Sequence, residues 1–327
     1  MAEQTVPQLA PPAPPASPQA GGAGAAVAYW LVALRSSVAD YVRLTKPRII
    51  SLLLVTAVCC LYAGADGRVR WTALLAVCGG GYLAAGGANA MNCALDADLD
   101  TLMHRTRSRP VPSGRIHPAA AIGYGIALNI AAAVWLGTVT NLLAAGLALA
   151  GSAWYVVVYT RWLKRRSTEN IVIGGAAGCF PVLVGWAAAT GRLDATAIVL
   201  AAVVFCWTPP HFWSLASLLR DDYRRAQVPM LPVVASAAHT SRRMLRYAAA
   251  TLVVSVLPVA WGGLGVAYLG VAVLSGARLC QLTAAFRAHP DTRTARRLFG
   301  FSLGYLALIF AAAALDRSLG APVVRLW

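Results

Sequence analysis

Asn92, Asp96 and Asp100 stand four residues apart in "NCALDADLD", where a long apolar run beginning near Trp71 ends. On a continuing helix this spacing lines the three side chains along one stripe, with adjacent members about 5–6 Å apart at Cβ. Asp98 points elsewhere. Alone, the stripe is unfavourable: like charges at i, i+4 repel, and carboxylates at a helix C-terminus oppose the macrodipole. A cation relieves both problems. Oxygen-only donors suit Mg²⁺, which takes one or two carboxylates and leaves its other positions to water and substrate phosphate. The competing reading is a solvated loop that ends the apolar run. The Asn and the regular spacing weigh against it.

Basic residues cluster in the neighbouring segments. Arg105, Arg107 and Arg109 follow in "RTRSRP". The only two lysines are Lys46, beside Arg48 in "TKPR", and Lys164, beside Arg165 in "YTRWLKRRS". Acids that hold Mg²⁺ beside cations that hold phosphate oxygens are the parts of a diphosphate site. Any one of these cations is explained by membrane topology; their combination with the stripe carries the weight. A second acidic pair, Asp221 and Asp222, lies in "RDDYRRAQVP" and supplies Asp222 as a further candidate ligand. His211, in "TPPHFW", lies about nine residues before Arg220, roughly 13 Å into an apolar run at 1.5 Å per residue. A titratable group at that depth is a functional candidate. A neutral histidine bonded to a freed carbonyl is the bland alternative. Pro209-Pro210 is expected to break the helix before it and expose carbonyls to a cavity. Trp207 and Trp213 flank it as candidate pocket walls, or as packing. The other four histidines fall in loops.

These residues must be positioned by membrane spans. The chain has 327 residues, 58% hydrophobic and 12% charged, where soluble domains carry roughly 25% charged residues. Nine runs are long enough to cross a bilayer: 48–65, 71–94, 118–137, 140–160, 170–190, 194–217, 245–262, 264–284 and 298–315. With the N-terminus in the cytoplasm, 22 of the 28 basic residues fall on the inner side and five outside, with Arg278 inside the eighth span. That split sets the orientation. It also gives the net charge of +16 a role in topology and lipid contact, and no nucleic-acid partner is expected. Four crossings separate the two acidic clusters, so both face the cytoplasm, and they meet if spans 2 and 6 are neighbours. The seven cysteines lie in or at the ends of apolar runs without a C-x-x-C pair, and read as small buried hydrophobes.

Residues 1–28 read as a disordered Pro/Ala/Gly-rich tail, without the basic start and apolar core of a signal peptide. Residues 29–47 read as an amphipathic helix lying on the membrane surface, with Leu31, Leu34, Val38, Tyr41 and Val42 on one face. The bundle follows over 48–315, then a short extracytoplasmic tail over 316–327.

N-x-x-x-D-x-x-x-D at the end of span 2 resembles the first motif of the UbiA-type intramembrane prenyltransferase superfamily. "LTKPRII", "NCALDADLDTLMHRTRSRPVPSGRI", "YTRWLKRRS", "WTPPHFWSLASLLRDDYRRAQVPMLPVV" and "ARRLFGFSL" narrow the resemblance to its protoheme IX farnesyltransferase (haem O synthase) branch, over about residues 43–315. The resemblance implies an all-α bundle of nine transmembrane helices around a central apolar chamber open to the cytoplasmic side of a bacterial plasma membrane. It implies transfer of the farnesyl group of farnesyl diphosphate to a vinyl group of haem B, giving haem O and diphosphate. At least one Mg²⁺ would be held by Asn92, Asp96, Asp100 and Asp222. Lys46, Arg48, Arg105, Arg109, Lys164 and Arg165 would contact diphosphate or haem propionates; Trp207 and Trp213 would contact haem, and His211 would ligate haem iron, orient haem or accept a proton. A haem A synthase or an oxidase-assembly protein is the implied partner. The second loop departs from the wider superfamily, because Asp221 and Asp222 are followed four residues on by Arg225 and Ala226 instead of an acid. Two other readings stand beside this one: a prenyltransferase with an aromatic acceptor, against which the second-half segments argue, and a transporter whose aspartates bind a cation, whose site would be expected nearer the midplane.

Overall fold

A computed structural model describes residues 36–320; residues 1–35 and 321–327, with the expectations for both tails and for the start of the surface helix, lie outside the described residues. Among the described residues the fold is entirely helical. A helix over 36–45 (α1) precedes α2 (Pro47–Gly64) and α3 (Trp71–Leu95); a short α4 (Ala97–Leu102) follows. Then come α5 (Pro118–Val139) and α6 (Leu142–Ala153), which continues as a π-helical segment, Trp154–Leu163. The fifth crossing is composite: α7 (Asn170–Gly174), a 3₁₀ turn (Gly175–Cys179) and α8 (Phe180–Thr190). α9 (Ala195–Leu218) leads through the short α10 (Arg220–Arg225) and α11 (Leu231–Val234) to α12 (Ala237–Ala260), α13 (Val266–Ala288) and α14 (Thr292–Ser318).

Nine helical stretches of the described chain are long and apolar enough to cross a membrane, matching the nine runs expected. The seventh and ninth begin earlier than hydropathy alone suggests, at Ala237 and Thr292. Their first turns carry Arg242, Arg243, Arg293, Arg296 and Arg297, which depress hydropathy without opposing helix. Caps set the true starts: Ser236 accepts from the His239 N–H, and Asp291 forms a capping box with Thr294. The sixth crossing differs from expectation. α9 runs unbroken through Pro209 and Pro210. The prolines remove the N–H donors for the carbonyls of Phe205 and Cys206, but the helix continues past them, packed on α12 and α14.

α3 packs on α5, and α2 on α8; α9 lies between α12 and α14, and α14 also meets α2. Close approach needs small residues. A Cβ on Gly87 would stand 2.5 Å from the carbonyl oxygen of Gly125, and one on Gly185 would fall within the backbone of Ala57. α1 is tied to the bundle through Asp40, which accepts from Arg43 (3.0 Å) and twice from Arg115 (2.7 and 3.3 Å). Burial pushes the Asp40 carboxyl up, but these two guanidiniums prevail and hold it below the usual carboxylate range. Arg243 on α12 similarly clamps Glu169, before α7, at 2.5 and 2.7 Å.

Candidate active site

The stripe forms, although its helix does not run on smoothly. α3 ends at Leu95, with Asp96 as a joint before α4. The i→i+4 bonds survive the joint: the Asp96 N–H donates to Asn92 O (2.9 Å) and the Asp100 N–H to Asp96 O (2.8 Å). Asn92, Asp96 and Asp100 therefore stay in register, and all are buried, Asp96 at 1% exposure and Asp100 at 3%. Asp98 turns outward to Arg165, which donates to it at 2.6 and 2.7 Å and to the carbonyl of Leu95 at 2.8 Å. That pairing holds the Asp98 carboxyl below its ordinary range.

Cations reach the stripe from three other segments. Lys46 donates to Asn92 Oδ1 at 2.7 Å, Lys164 to Asp96 Oδ2 at 2.5 Å, and Arg109 to Asp100 Oδ2 at 2.7 Å. Asn92 donates in turn to Asp96 Oδ2 (2.6 Å) and to the Thr160 hydroxyl (3.0 Å). Burial pushes the Lys46 ammonium pKa down, and the nearby charges of Arg109 and Lys164 push it the same way. Three cations thus converge on one buried spot. Lys46 also holds a left-handed backbone, φ 56° and ψ 59°, which costs about 1–2 kcal/mol in a residue with a Cβ. Pro47 after it disfavours the right-handed alternative, and the Asn89 side chain holds the segment by donating to Thr45 O at 3.0 Å. Arg48 and Arg105 are exposed near this end of the bundle.

One oxygen in this network is unsatisfied. Asp96 Oδ1 is buried without a hydrogen bond, with Arg165 4.0 Å away. A hard, anionic oxygen left without a donor in a polar, cation-rich recess fits an incoming metal cation. Among the described residues no three acidic, histidine or cysteine side chains gather closely enough to hold a metal by themselves. A cation here would complete its shell with the Asn92 amide, water and substrate oxygens.

The second loop reaches the first without spans 2 and 6 packing as a main pair. The π-helical segment and α7 stand between α3 and α9. The loops meet at one end of the bundle, where the His104 N–H donates to Asp222 Oδ1 at 3.4 Å. Asp222 otherwise pairs with Arg225, so its charge is matched locally, apart from the stripe. A cleft of about 530 Å³ opens between the loops, lined by Thr101, Leu102, His104, Arg107 and Arg225. Tyr223, on the second loop, is buried: burial raises its phenol pKa, with Arg105 and Arg109 opposing and Asp222 and Asp96 reinforcing the shift.

His211 lies on α9, 7% exposed, in a different environment. Trp207 stacks on one ring neighbour position at 4.3 Å and 17°, and Phe299 of α14 at 4.9 Å and 25°. Nδ1 is 2.8 Å from the Ser302 hydroxyl. Trp207 donates to Ser302 O at 2.8 Å. Trp213 is turned to α12, where it meets Tyr247 edge-on at 5.9 Å and lies under Arg243; its contacts are those of bundle packing.

A model of the UbiA prenyltransferase family matches residues 53–312. The chain belongs to this family. Relatives within the UbiA family are similar over most of the chain. The protoheme IX farnesyltransferase of Synechococcus elongatus is 48% identical over 285 residues, 86% of this chain and 89% of that protein. That of Gloeobacter violaceus is 47% identical over 286 residues, 86% and 93% respectively. The protein of that name from Chloroflexus aurantiacus is 48% identical over 285 residues, 87% of this chain but 49% of the relative. The chain thus spans about half the length of the first curated relatives it matches. Solved UbiA-fold structures superpose at low identity and show the fold alone. A digeranylgeranylglyceryl phosphate synthase gives a TM-score of 0.72 at 16% identity, covering 87% of this chain and 99% of that one. A UbiA homolog from Archaeoglobus fulgidus bound to DMAPP and Mg²⁺ gives 0.67 at 14% identity, covering 86% and 99%.

Within this UbiA bundle, several residues at the site carried no signal in sequence. Thr160 touches Asn92 from the π-helical segment, where its hydroxyl donates to Tyr155 O at 2.9 Å. Tyr155 and Tyr159 stack at 5.5 Å in the same segment and lie within electrostatic reach of Asp96. Ser302 and Phe299 come from α14, whose "ARRLFGFSL" segment figured only in the resemblance. An i→i+5 helix turn has no hydropathy signature, so nothing local announced these contacts.

Proposed function

We propose that this chain transfers the farnesyl group of farnesyl diphosphate to a vinyl group of haem B, giving haem O and diphosphate. The observation that carries the reading is the buried stripe, Asn92, Asp96 and Asp100, met by Lys46, Lys164 and Arg109, in a chain 48% identical to a protoheme IX farnesyltransferase over most of both lengths. The basic loops favour an orientation with this end in the cytoplasm of a bacterial plasma membrane, α1 on the inner surface and the chamber between helices open to that side.

Asn92, Asp96 and Asp100 would hold Mg²⁺, with Asp222 nearby on the second loop. When bound, that ion offsets the negative charge that develops on the departing diphosphate. Lys46, Lys164 and Arg109 do the same from the protein side. They now rest on the stripe's oxygens and are free to exchange these for phosphate oxygens, to which charge-assisted bonds are strong. Arg165, Arg105 and Arg48 form an outer cationic rim. Burial strengthens each of these interactions because little water competes. The prenyl chain, apolar throughout, lies among the helices, where the allylic cation is sheltered from early hydration. The haem vinyl π bond supplies its electron pair to that cation, and water adds to the carbon left deficient beside the porphyrin, its released proton going to the departed diphosphate. His211 and Trp207 would stand on the haem side; Trp213 would support them through packing. A haem A synthase or an oxidase-assembly protein would take the product.

The direct test incubates the purified chain with farnesyl diphosphate, haem B and Mg²⁺ and reads haem O by mass. Haem O is expected. Prenylation of an aromatic acid in its place, with haem B unchanged, would replace this reading.

A further inference from the structure

We infer that His211 is an axial ligand for the iron of the incoming haem, presented through Nε2 by a tautomer that Ser302 fixes. The inference rests on the haem reading above and narrows its acceptor side.

The hydrogen-bond accounting is local. The Ser302 hydroxyl donates to Phe299 O at 2.7 Å. A hydroxyl has one proton to give. At 2.8 Å from His211 Nδ1 it must therefore accept, which places the imidazole proton on Nδ1 and leaves Nε2 with a bare lone pair. Ser302 is itself fully buried, and its carbonyl is anchored by Trp207, so this acceptor does not wander. Trp207 and Phe299, both near-parallel to the ring, oppose its rotation. The Ser214 hydroxyl donates to His211 O at 2.6 Å, fixing the backbone beneath it. Nε2 makes no hydrogen bond among the described residues, and it is not among the sealed, unpartnered atoms of the interior. It keeps access to free space.

Three roles were open for this residue: ligand, orienting group and proton acceptor. Charge decides among them. Among the described residues no carboxylate pairs with His211; its ring meets only the Ser302 hydroxyl and the aromatic rings of Trp207, Phe212 and Phe299. An imidazolium formed there would be a buried, unpaired cation, which is strongly disfavoured. A neutral imidazole with Nδ1–H engaged and Nε2 free is the form that binds metals. The outer hydrogen bond is the usual device that orients such a ligand. Orientation of haem then follows from ligation. In these terms His211 touches the substrate, and Ser302 is a positioning residue acting through it.

The test is a haem B titration of the full chain in lipid nanodiscs, followed by optical and electron paramagnetic resonance spectra. Wild type should give a ferric spectrum of imidazole-ligated haem. His211→Gly should lose that signature, and added imidazole should restore it, a rescue that a misfolded variant would not show. Ser302→Ala should keep the ligand but weaken haem binding about tenfold, and Ser302→Thr should return it. Farnesyl diphosphate binding, measured alongside, should not change in any of the three. Haem bound to wild type and His211→Gly with the same spectrum would overturn the inference and leave the farnesyl-transfer reading standing. Wild type that binds no haem at all would overturn both.

Discussion

At the basic end of the bundle, every partner of Asn92, Asp96 and Asp100 is polar, and three of them are cations. Around His211 the ring partners are aromatic and a single hydroxyl meets the imidazole. Both groups are buried, yet one region gathers charge and the other excludes it. The difference matches what each half of the proposed farnesyl-transfer site would need. A departing diphosphate would call for fixed positive charge and an oxygen-binding cation in its half. The acceptor half would have to hold a large aromatic ring system without an imidazolium in the apolar interior.

Four substitutions probe that division, in decreasing order of expected effect. Asp96→Ala should reduce haem O formation at least a thousandfold, about 4 kcal/mol of barrier, because it removes the unpaired Oδ1 and strands Lys164. Haem B binding should stay within twofold, and a rate near wild type would break the assignment of the stripe. Lys164→Gln should lower kcat/KM for farnesyl diphosphate about thirtyfold, near 2 kcal/mol, without altering KM for haem B. If haem rather than diphosphate kinetics shifts, Lys164 belongs to the propionates. Thr160→Ala leaves one Asn92 amide proton unpaired in a buried site, at a cost of about 1 kcal/mol. That should appear as a few-fold rise in the Mg²⁺ concentration needed for half-maximal rate, and an unchanged requirement would dismiss the π-helical segment as a support for the stripe.

Asp40→Asn lies outside both halves and serves as the contrast. The Asp40 carboxyl is held below its ordinary range. Its contribution is therefore complete above the unfolded carboxyl value of about 3.9 and is lost as pH falls through the lower folded value. Arg43 and Arg115 are partly exposed, so the pairing contributes only about 0.5 kcal/mol. Thermal melts in detergent should separate wild type from Asp40→Asn slightly at pH 7 and merge toward pH 3. A gap that widens in acid would mean that Asp40 is not ionised in the folded protein.

The spans were legible because hydropathy acts locally, and the stripe because its i, i+4 bonding carries through the joint between α3 and α4. The pairings were not. Lys46 meets Asn92 across 46 residues and Lys164 meets Asp96 across 68; no periodicity encodes such distances. Ser302 meets His211 across 91 residues, so the tautomer could not be read, and three roles stayed open. Pro209-Pro210 misled for a related reason. A proline pair breaks an isolated helix, but α9, flanked by α12 and α14, stays continuous through it.

The division of the site into a charged half and a neutral half is tested most directly by measuring two affinities in two variants. Mg²⁺-dependent farnesyl diphosphate binding and haem B binding would be titrated in Asp96→Asn and in His211→Gly. The account predicts a crossed pattern: Asp96→Asn loses diphosphate affinity at least tenfold and keeps haem, while His211→Gly loses haem affinity and keeps diphosphate. Equal loss of both ligands in both variants would contradict it.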